Sequence, residues 1–157
     1  MNLFDKFLKV FKALEEEDVE YILIGGFAII LHGFTRLTQD IDILVKMTNS
    51  NIHKLQQALF KAFNDQEVYK ITFDDLKHYA VIRYGSPEDF HMDLIARVGE
   101  IATFENMKYE LIPVEGVTIK TATPESLYQL KKDSIRPEDQ RDLLFLDQLL
   151  KDRKSEK

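Results

Sequence analysis

Residues 40–45 read Asp-Ile-Asp-Ile-Leu-Val, two carboxylates at the head of a segment that is otherwise wholly apolar. Ile41, Ile43, Leu44 and Val45 demand burial, and so short a run rich in β-branched side chains reads as a strand. The two-residue period of a strand then sets Asp40 and Asp42 on one face, while Ile41 and Ile43 point the other way into a core. Two like charges held side by side repel, and an apolar strand is a costly place to keep them. The arrangement becomes favourable once a hard cation sits between them, since Mg²⁺ is held through one or two carboxylates plus substrate phosphates. Taken alone, the triplet is equally well satisfied by solvent or by ion pairs with Arg36 and Lys46.

The residues upstream narrow the choice. Tyr21-Ile22-Leu23-Ile24 reads as a short buried strand, closed by Gly25-Gly26, and Phe27–Leu31 reads as a short buried helix. A glycine pair between strand and helix lets backbone N–H groups approach a phosphate at the positive end of the helix dipole. Alone, such a pair is a turn. Followed by a strand that begins Asp-x-Asp, it sets a phosphate cradle beside a metal site. A third carboxylate, Asp93, interrupts the apolar run Phe90-His91-Met92-Asp93-Leu94-Ile95. It reaches the same site if that strand lies beside residues 41–45, and is a solvated sheet-edge residue if it does not.

The remaining pattern alternates helices and strands. Apolar residues at three- and four-residue steps make residues 2–16 an amphipathic helix, and Asn49 or Ser50 is placed to cap another running to about Phe63. Thr72 with Asp75 has the form of a capping box for a short helix. Tyr79–Tyr84 and Phe90–Ile95 read as a hairpin, residues 100–106 as a short helix, and Tyr109–Ile112 and Val117–Lys120 as short strands. Pro124 and Pro137 each open a helix, over residues 124–132 and 137–151, the second with Leu143, Leu144, Leu146, Leu149 and Leu150 on its apolar face. The fold class is α/β (α+β): a mixed sheet flanked by helices, with C-terminal helices. Residues 1–152 form a single domain, and a charged tail, frayed from about Asp152, ends the chain.

Bulk properties bound the function. The chain has 157 residues and no cysteine, which excludes disulfides and thiolate metal sites. No apolar run approaches the roughly 20 residues of a membrane span. The N-terminus has no basic leader ahead of an apolar stretch, so a cytoplasmic location is expected and membrane association is not. A formal net charge of −6 argues against a general nucleic-acid coat, yet leaves room for a local basic pocket. His53, His78 and His91 lack metal-ligand spacing, and His32, after an apolar helix, reads as a hydrogen-bonded core residue.

Gly25-Gly26-Phe27-Ala28, His32-Gly33, Arg36, Thr38 and Asp40-Ile41-Asp42 together resemble the active-site signature of the nucleotidyltransferase superfamily, the DNA polymerase β-like fold. The chain looks closest to the small proteins grouped with AbiEii-type toxins of toxin–antitoxin and phage-defence systems. Pro124–Lys131 followed by Arg136-Pro137-Glu138-Asp139-Gln140-Arg141-Asp142-Leu143 resembles the C-terminal signature of that group, with Glu138 where a lysine is usual.

The resemblance implies metal-dependent transfer of a nucleoside monophosphate from a nucleoside triphosphate to an acceptor hydroxyl of a tRNA or other RNA, a protein or a small molecule. It implies two Mg²⁺ ions, with Mn²⁺ as a substitute, held by Asp40, Asp42 and Asp93, the last serving as ligand or base. Gly25 and Gly26 would hold the triphosphate and Lys131 would offset its charge. Asp139 and Asp142 would orient Lys131 or line the cleft. Arg36 is placed either to touch phosphate or to neutralise the carboxylates, and Lys132 and Arg136 read as a solvated face. A cognate antitoxin would be a partner if the toxin role holds. Two other readings use the same residues: a non-catalytic nucleotide-binding or interaction subunit, and a metal-dependent phosphohydrolase.

Overall fold

A computed structural model describes residues 1–100 and 102–156. Helix α1, Leu3–Glu16, starts where the Asn2 side chain accepts from the Asp5 backbone N–H at 2.8 Å, and it buries Phe7, Leu8, Val10, Phe11, Ala13 and Leu14. Strand β1, Tyr21–Ile24, is buried at all four positions and runs directly into helix α2, Gly25–Leu31. Strand β2, Asp40–Val45, alternates part-buried and buried side chains at its head and is buried thereafter. Helix α3, Asn49–Phe63, is capped by the Thr48 hydroxyl, one residue before the expected cap. Thr48 has the extended backbone that an N-cap needs, whereas Asn49 and Ser50 are already helical.

Thr72 caps helix α4, Phe73–Tyr79, through the Asp75 backbone N–H at 3.2 Å, as its spacing suggests. Tyr79 therefore closes a helix instead of opening a strand. Ala80 at φ 69° makes the break, and strands β3, Val81–Gly85, and β4, His91–Ile95, follow. Residues 100–106 do not form the expected helix. Ile101 lies outside the described residues; around it, β5, Arg97–Val98, pairs with β6, Ala102–Thr103, before a single 3₁₀ turn, Phe104–Asn106.

Strands β7, Tyr109–Val114, and β8, Val117–Ala122, form one longer hairpin. Its two-residue turn, Glu115 at φ 48° and Gly116 at φ 84°, has the left-handed backbone that matches strand twist. Pro113 is tolerated because β7 is an edge strand. Helix α5, Pro124–Lys131, is as expected, but α6, Pro137–Ser155, continues past Lys151. Arg153 in its last turn pairs with Glu110 of β7 at 3.2 Å, and basic residues there complement the helix dipole. Lys157, the end of the expected tail, lies outside the described residues. Leu144 is 73% exposed and so lies off the apolar face; Asp139, Asp142 and Leu146, three and four residues apart, are the buried positions.

The main sheet has the order β3-β4-β2-β1-β8-β7. The β1–β2, β3–β4 and β7–β8 pairs are antiparallel, and β2–β4 and β1–β8 are parallel. Helix α1 packs on α3 and β8, α2 packs on β1, β2, β8 and α5, and α5 packs on α6. Phe7 stands at the centre of the core, edge-on to Phe27 and to Phe90, each at 5.0 Å.

One buried polar side chain ties the antiparallel centre together. Asn51 is 1% exposed; it accepts from the Glu20 N–H at 2.8 Å and donates to the Glu20 and Lys46 carbonyls at 2.9 Å each. Asn51→Ala leaves the Glu20 N–H without its partner and takes one of two donors from each of the Glu20 and Lys46 carbonyls, where β1 begins and β2 ends. A loss of at least about 2 kcal/mol is expected in urea denaturation, with an unchanged m-value.

Candidate active site

The parallel register of β2 and β4 pairs Asp42 with Asp93 and Asp40 with His91. Residues paired across neighbouring strands face the same side of a sheet, so Asp42 and Asp93 project together, with Asp40 two residues earlier on that side. Ile41 and Ile43 are fully buried on the other side, as the alternation requires. The conditional reading of Asp93 is thereby decided. Its strand does lie beside β2.

Asp42 is also the Cα partner of Ile24, the last residue of β1, which brings its carboxylate onto the glycine pair. Gly25 sits at φ +76°, and a Cβ there would lie 2.2 Å from Asp42 Oδ2. No other residue type meets both conditions. A Cβ on Gly26 would lie 3.1 Å from both Arg36 Nη1 and Thr38 Oγ1. The bare backbone is a shelf on which an acid rests at one residue and a guanidinium at the next.

Burial pushes the Asp42 carboxyl up to about 7, helped by repulsion from Asp93 and Asp40 and by a hydrogen bond shared with Asp93; Lys131 offsets part of this. Asp42 Oδ1 is buried and finds no hydrogen-bond partner among the described residues. The ion pairs that would have explained the acids as structural are formed elsewhere. Arg36 binds Asp142 at 2.7 Å and Lys46 binds Glu20 at 3.5 Å. A hard cation suits an all-oxygen donor set in which a buried carboxylate is repelled by its neighbours and has one oxygen without a partner, so the residues fit Mg²⁺. Among the described residues, no three acidic or imidazole groups are yet gathered closely enough to hold an ion. Asp93 gives both oxygens to Arg83, at 2.9 and 3.2 Å, and Asp40 faces His91 at 3.7 Å.

The C-terminal helices bring a second set of charges to the same place. Lys131, at the end of α5, donates to Asp139 at 2.5 Å and lies 3.3 Å from Asp142, both on α6. Asp142 is 1% exposed and also accepts from Arg36, so Arg36 reaches neither Asp40 nor Asp42 as a partner. Burial disfavours ionised Asp139, yet hydrogen bonds from Lys131 and Ser134 outweigh it and hold this acid below its ordinary range. A cavity of about 380 Å³ opens beside Arg36, lined by Phe34, Glu138, Arg141 and Asp142. Arg136 is an exposed residue, as expected, and pairs with Glu138. His32 is a core residue: its Nε2 lies 2.8 Å from the Ala122 carbonyl, and burial lowers its basicity.

Arg83 went unnoticed in the sequence. Its strand neighbours Val81 and Ile82 give no sign of which face it shares, and only the β3–β4 register sets it opposite Asp93. Ser134, which donates to Asp139 Oδ2 at 2.7 Å, was equally silent, because short polar loops contain serines for many reasons.

A central mixed sheet with acids on two adjacent strands, beside a strand–glycine pair–helix turn, defines the nucleotidyltransferase-like class. The chain belongs to the family described as nucleotidyl transferase of unknown function (DUF2204), which it matches over residues 3–156. Among solved structures it is similar to an antigenic nucleotidyltransferase-like protein from Paracoccidioides brasiliensis, with a TM-score of 0.59 and 17% identity over 90% of this chain and 74% of that one. It is also similar to ANT(2")-Ia, solved in complex with adenylyl-2"-tobramycin, with a TM-score of 0.55 and 12% identity over 96% of this chain and 90% of that one. No curated protein matches in sequence. At these identities the likeness to the solved structures is one of fold.

The raised Asp42 carboxyl has a measurable consequence. Its folded value, about 7, lies above the ordinary 3.8, so the folded state binds the extra proton between those limits. Stability of the metal-free protein therefore falls as pH rises from about 4 to about 7 and levels off above. Asp42→Asn removes the charge and that slope. In chelator it should match wild type near pH 4 and exceed it by up to a few kcal/mol at pH 8, measured by urea denaturation across pH.

Proposed function

We propose that this protein transfers a nucleoside monophosphate from a nucleoside triphosphate to an acceptor hydroxyl with Mg²⁺, for which Mn²⁺ can substitute. The observation that carries the reading is the Asp42–Asp93 register pair, whose inner carboxyl is buried, repelled by two other acids and short of a partner. Bound at Asp40, Asp42 and Asp93, two such ions would supply Lewis-acid neutralisation of the triphosphate and ease ionisation of the acceptor hydroxyl.

The chain's own groups divide the rest of the work. The Gly25–Gly26 backbone offers close approach to phosphate because it carries no side chains. Lys131, held by Asp139 and Asp142, balances charge that builds on the departing phosphates. Asp93 accepts the hydroxyl proton. The acceptor oxygen then bonds to the α-phosphorus, the α–β bridging bond breaks, and pyrophosphate leaves with those electrons.

The acceptor in this reading is a hydroxyl of RNA, such as a tRNA end, or of a protein. A small-molecule acceptor is the alternative, and the adenylylated aminoglycoside bound by ANT(2")-Ia shows that proteins of similar fold meet such products. The finer proposal is an AbiEii-like toxin or phage-defence component, working in the cytoplasm with a cognate antitoxin. One observation favours the non-catalytic nucleotide-binding reading: both oxygens of Asp93 are held by Arg83.

Asp93→Asn separates the two. The substitution keeps shape but removes the proton acceptor, so nucleotide affinity should stay close to wild type while single-turnover transfer falls at least about 10²-fold. The assay uses each labelled triphosphate with Mg²⁺ and a cell extract. Wild-type transfer in the variant removes Asp93 from the mechanism. Nucleotide binding without any transfer in wild type selects the binding subunit.

A further inference from the structure

Arg83 lies on β3, an edge strand, and its Cα partner is Asp93, which is in turn the partner of Asp42. Arg83, Asp93 and Asp42 therefore form one row across the sheet, on the face that carries the acids. The guanidinium meets Asp93 with two parallel bonds, Nε to Oδ1 at 2.9 Å and Nη2 to Oδ2 at 3.2 Å, the fork geometry that uses both carboxylate oxygens. The Arg83 side chain is 58% exposed and that of Asp93 20%, which leaves the arginine free to swing outward without opening the core.

We infer that Arg83 is the counter-ion of the acidic site when no divalent cation is present, and that it must release Asp93 for a cation to bind. The inference rests on the metal-dependent reading above. It accounts for two facts together: Asp42 and Asp93 pair in register, and yet among the described residues no three ligands stand ready to hold an ion. A monovalent, exposed arginine is a weak competitor for a divalent ion, so it sets the affinity of the site without blocking it. Because β3 lies on the far side of Asp93 from the glycine pair, the release occurs away from the triphosphate shelf.

The test is Mn²⁺ binding without nucleotide, followed by calorimetry in wild type, Arg83→Gln and Asp93→Asn. Loss of one partly exposed counter-ion should tighten Mn²⁺ binding about three- to tenfold in Arg83→Gln. The same variant should melt lower than wild type in chelator and gain more on addition of Mg²⁺. Asp93→Asn should bind Mn²⁺ more weakly than wild type. In the wild-type protein, the ¹⁵N-labelled Arg83 Nε–H resonance should shift on Mg²⁺ titration with the same midpoint as the Mg²⁺-induced thermal stabilisation. That measurement stands even if Arg83→Gln does not fold. Equal or weaker Mn²⁺ binding in a folded Arg83→Gln, or an Arg83 resonance indifferent to saturating Mg²⁺, overturns the counter-ion role and leaves the metal site intact. Absence of Mn²⁺ binding in every form overturns the metal-dependent reading, and this inference with it.

Discussion

The Asp42 carboxylate is pressed between the bare backbone of Gly25 and the carboxylate of Asp93, and the architecture around it follows from that confinement. Only a residue without Cβ can sit beneath it, at a backbone angle other residues avoid. The parallel β2–β4 pair puts a second acid at its side, and a parallel neighbour requires the long excursion through α3, α4 and β3 before β4 can enter the sheet. The charge is tolerated because the energetic burden is carried by a core packed on the other face, where Ile41 and Ile43 are fully excluded from water. The site is thus a defect that the rest of the domain is stable enough to hold.

The basic half of the site is built by different means. Arg36, Lys131, Asp139 and Asp142 are joined by direct ion pairs across three separate segments, with Asp142 almost fully buried. Phe34 and Phe145, stacked at 4.9 Å, clamp the loop that carries Arg36 onto α6. Buried ion pairs of this kind add little net stability, but removal of one member leaves the other charge stranded. Their value here is geometric: they hold a lysine near acids that would otherwise draw it into a direct pair.

Much of this was legible in the sequence, and for physical reasons. Strands β1 and β2 were readable because they are apolar runs bounded by glycine or acid, and the shared face of Asp40 and Asp42 follows from strand periodicity alone. Proline at the first helical turn marked α5 and α6. The pairing of β2 with β4 was readable only as a condition on Asp93, since register depends on which strands become neighbours. Resemblance pointed to Lys131, Asp139 and Asp142, which local spacing could not have done. Arg83 stayed hidden because an arginine on an edge strand looks like any solubilising charge. Residues 100–106 were misread as a helix because strands of two residues have too few side chains to show a period.

Helix α6 follows every strand in chain order, yet it supplies both acids that hold Lys131 and one partner of Arg36. During synthesis the acids on β2 and β4 can be assembled in their sheet while the positive side of the cleft is still untethered. Both cations of the cleft thus owe their placement to the last helix of the chain, and Asp142, nearly dry, is the group that Arg36 and Lys131 share.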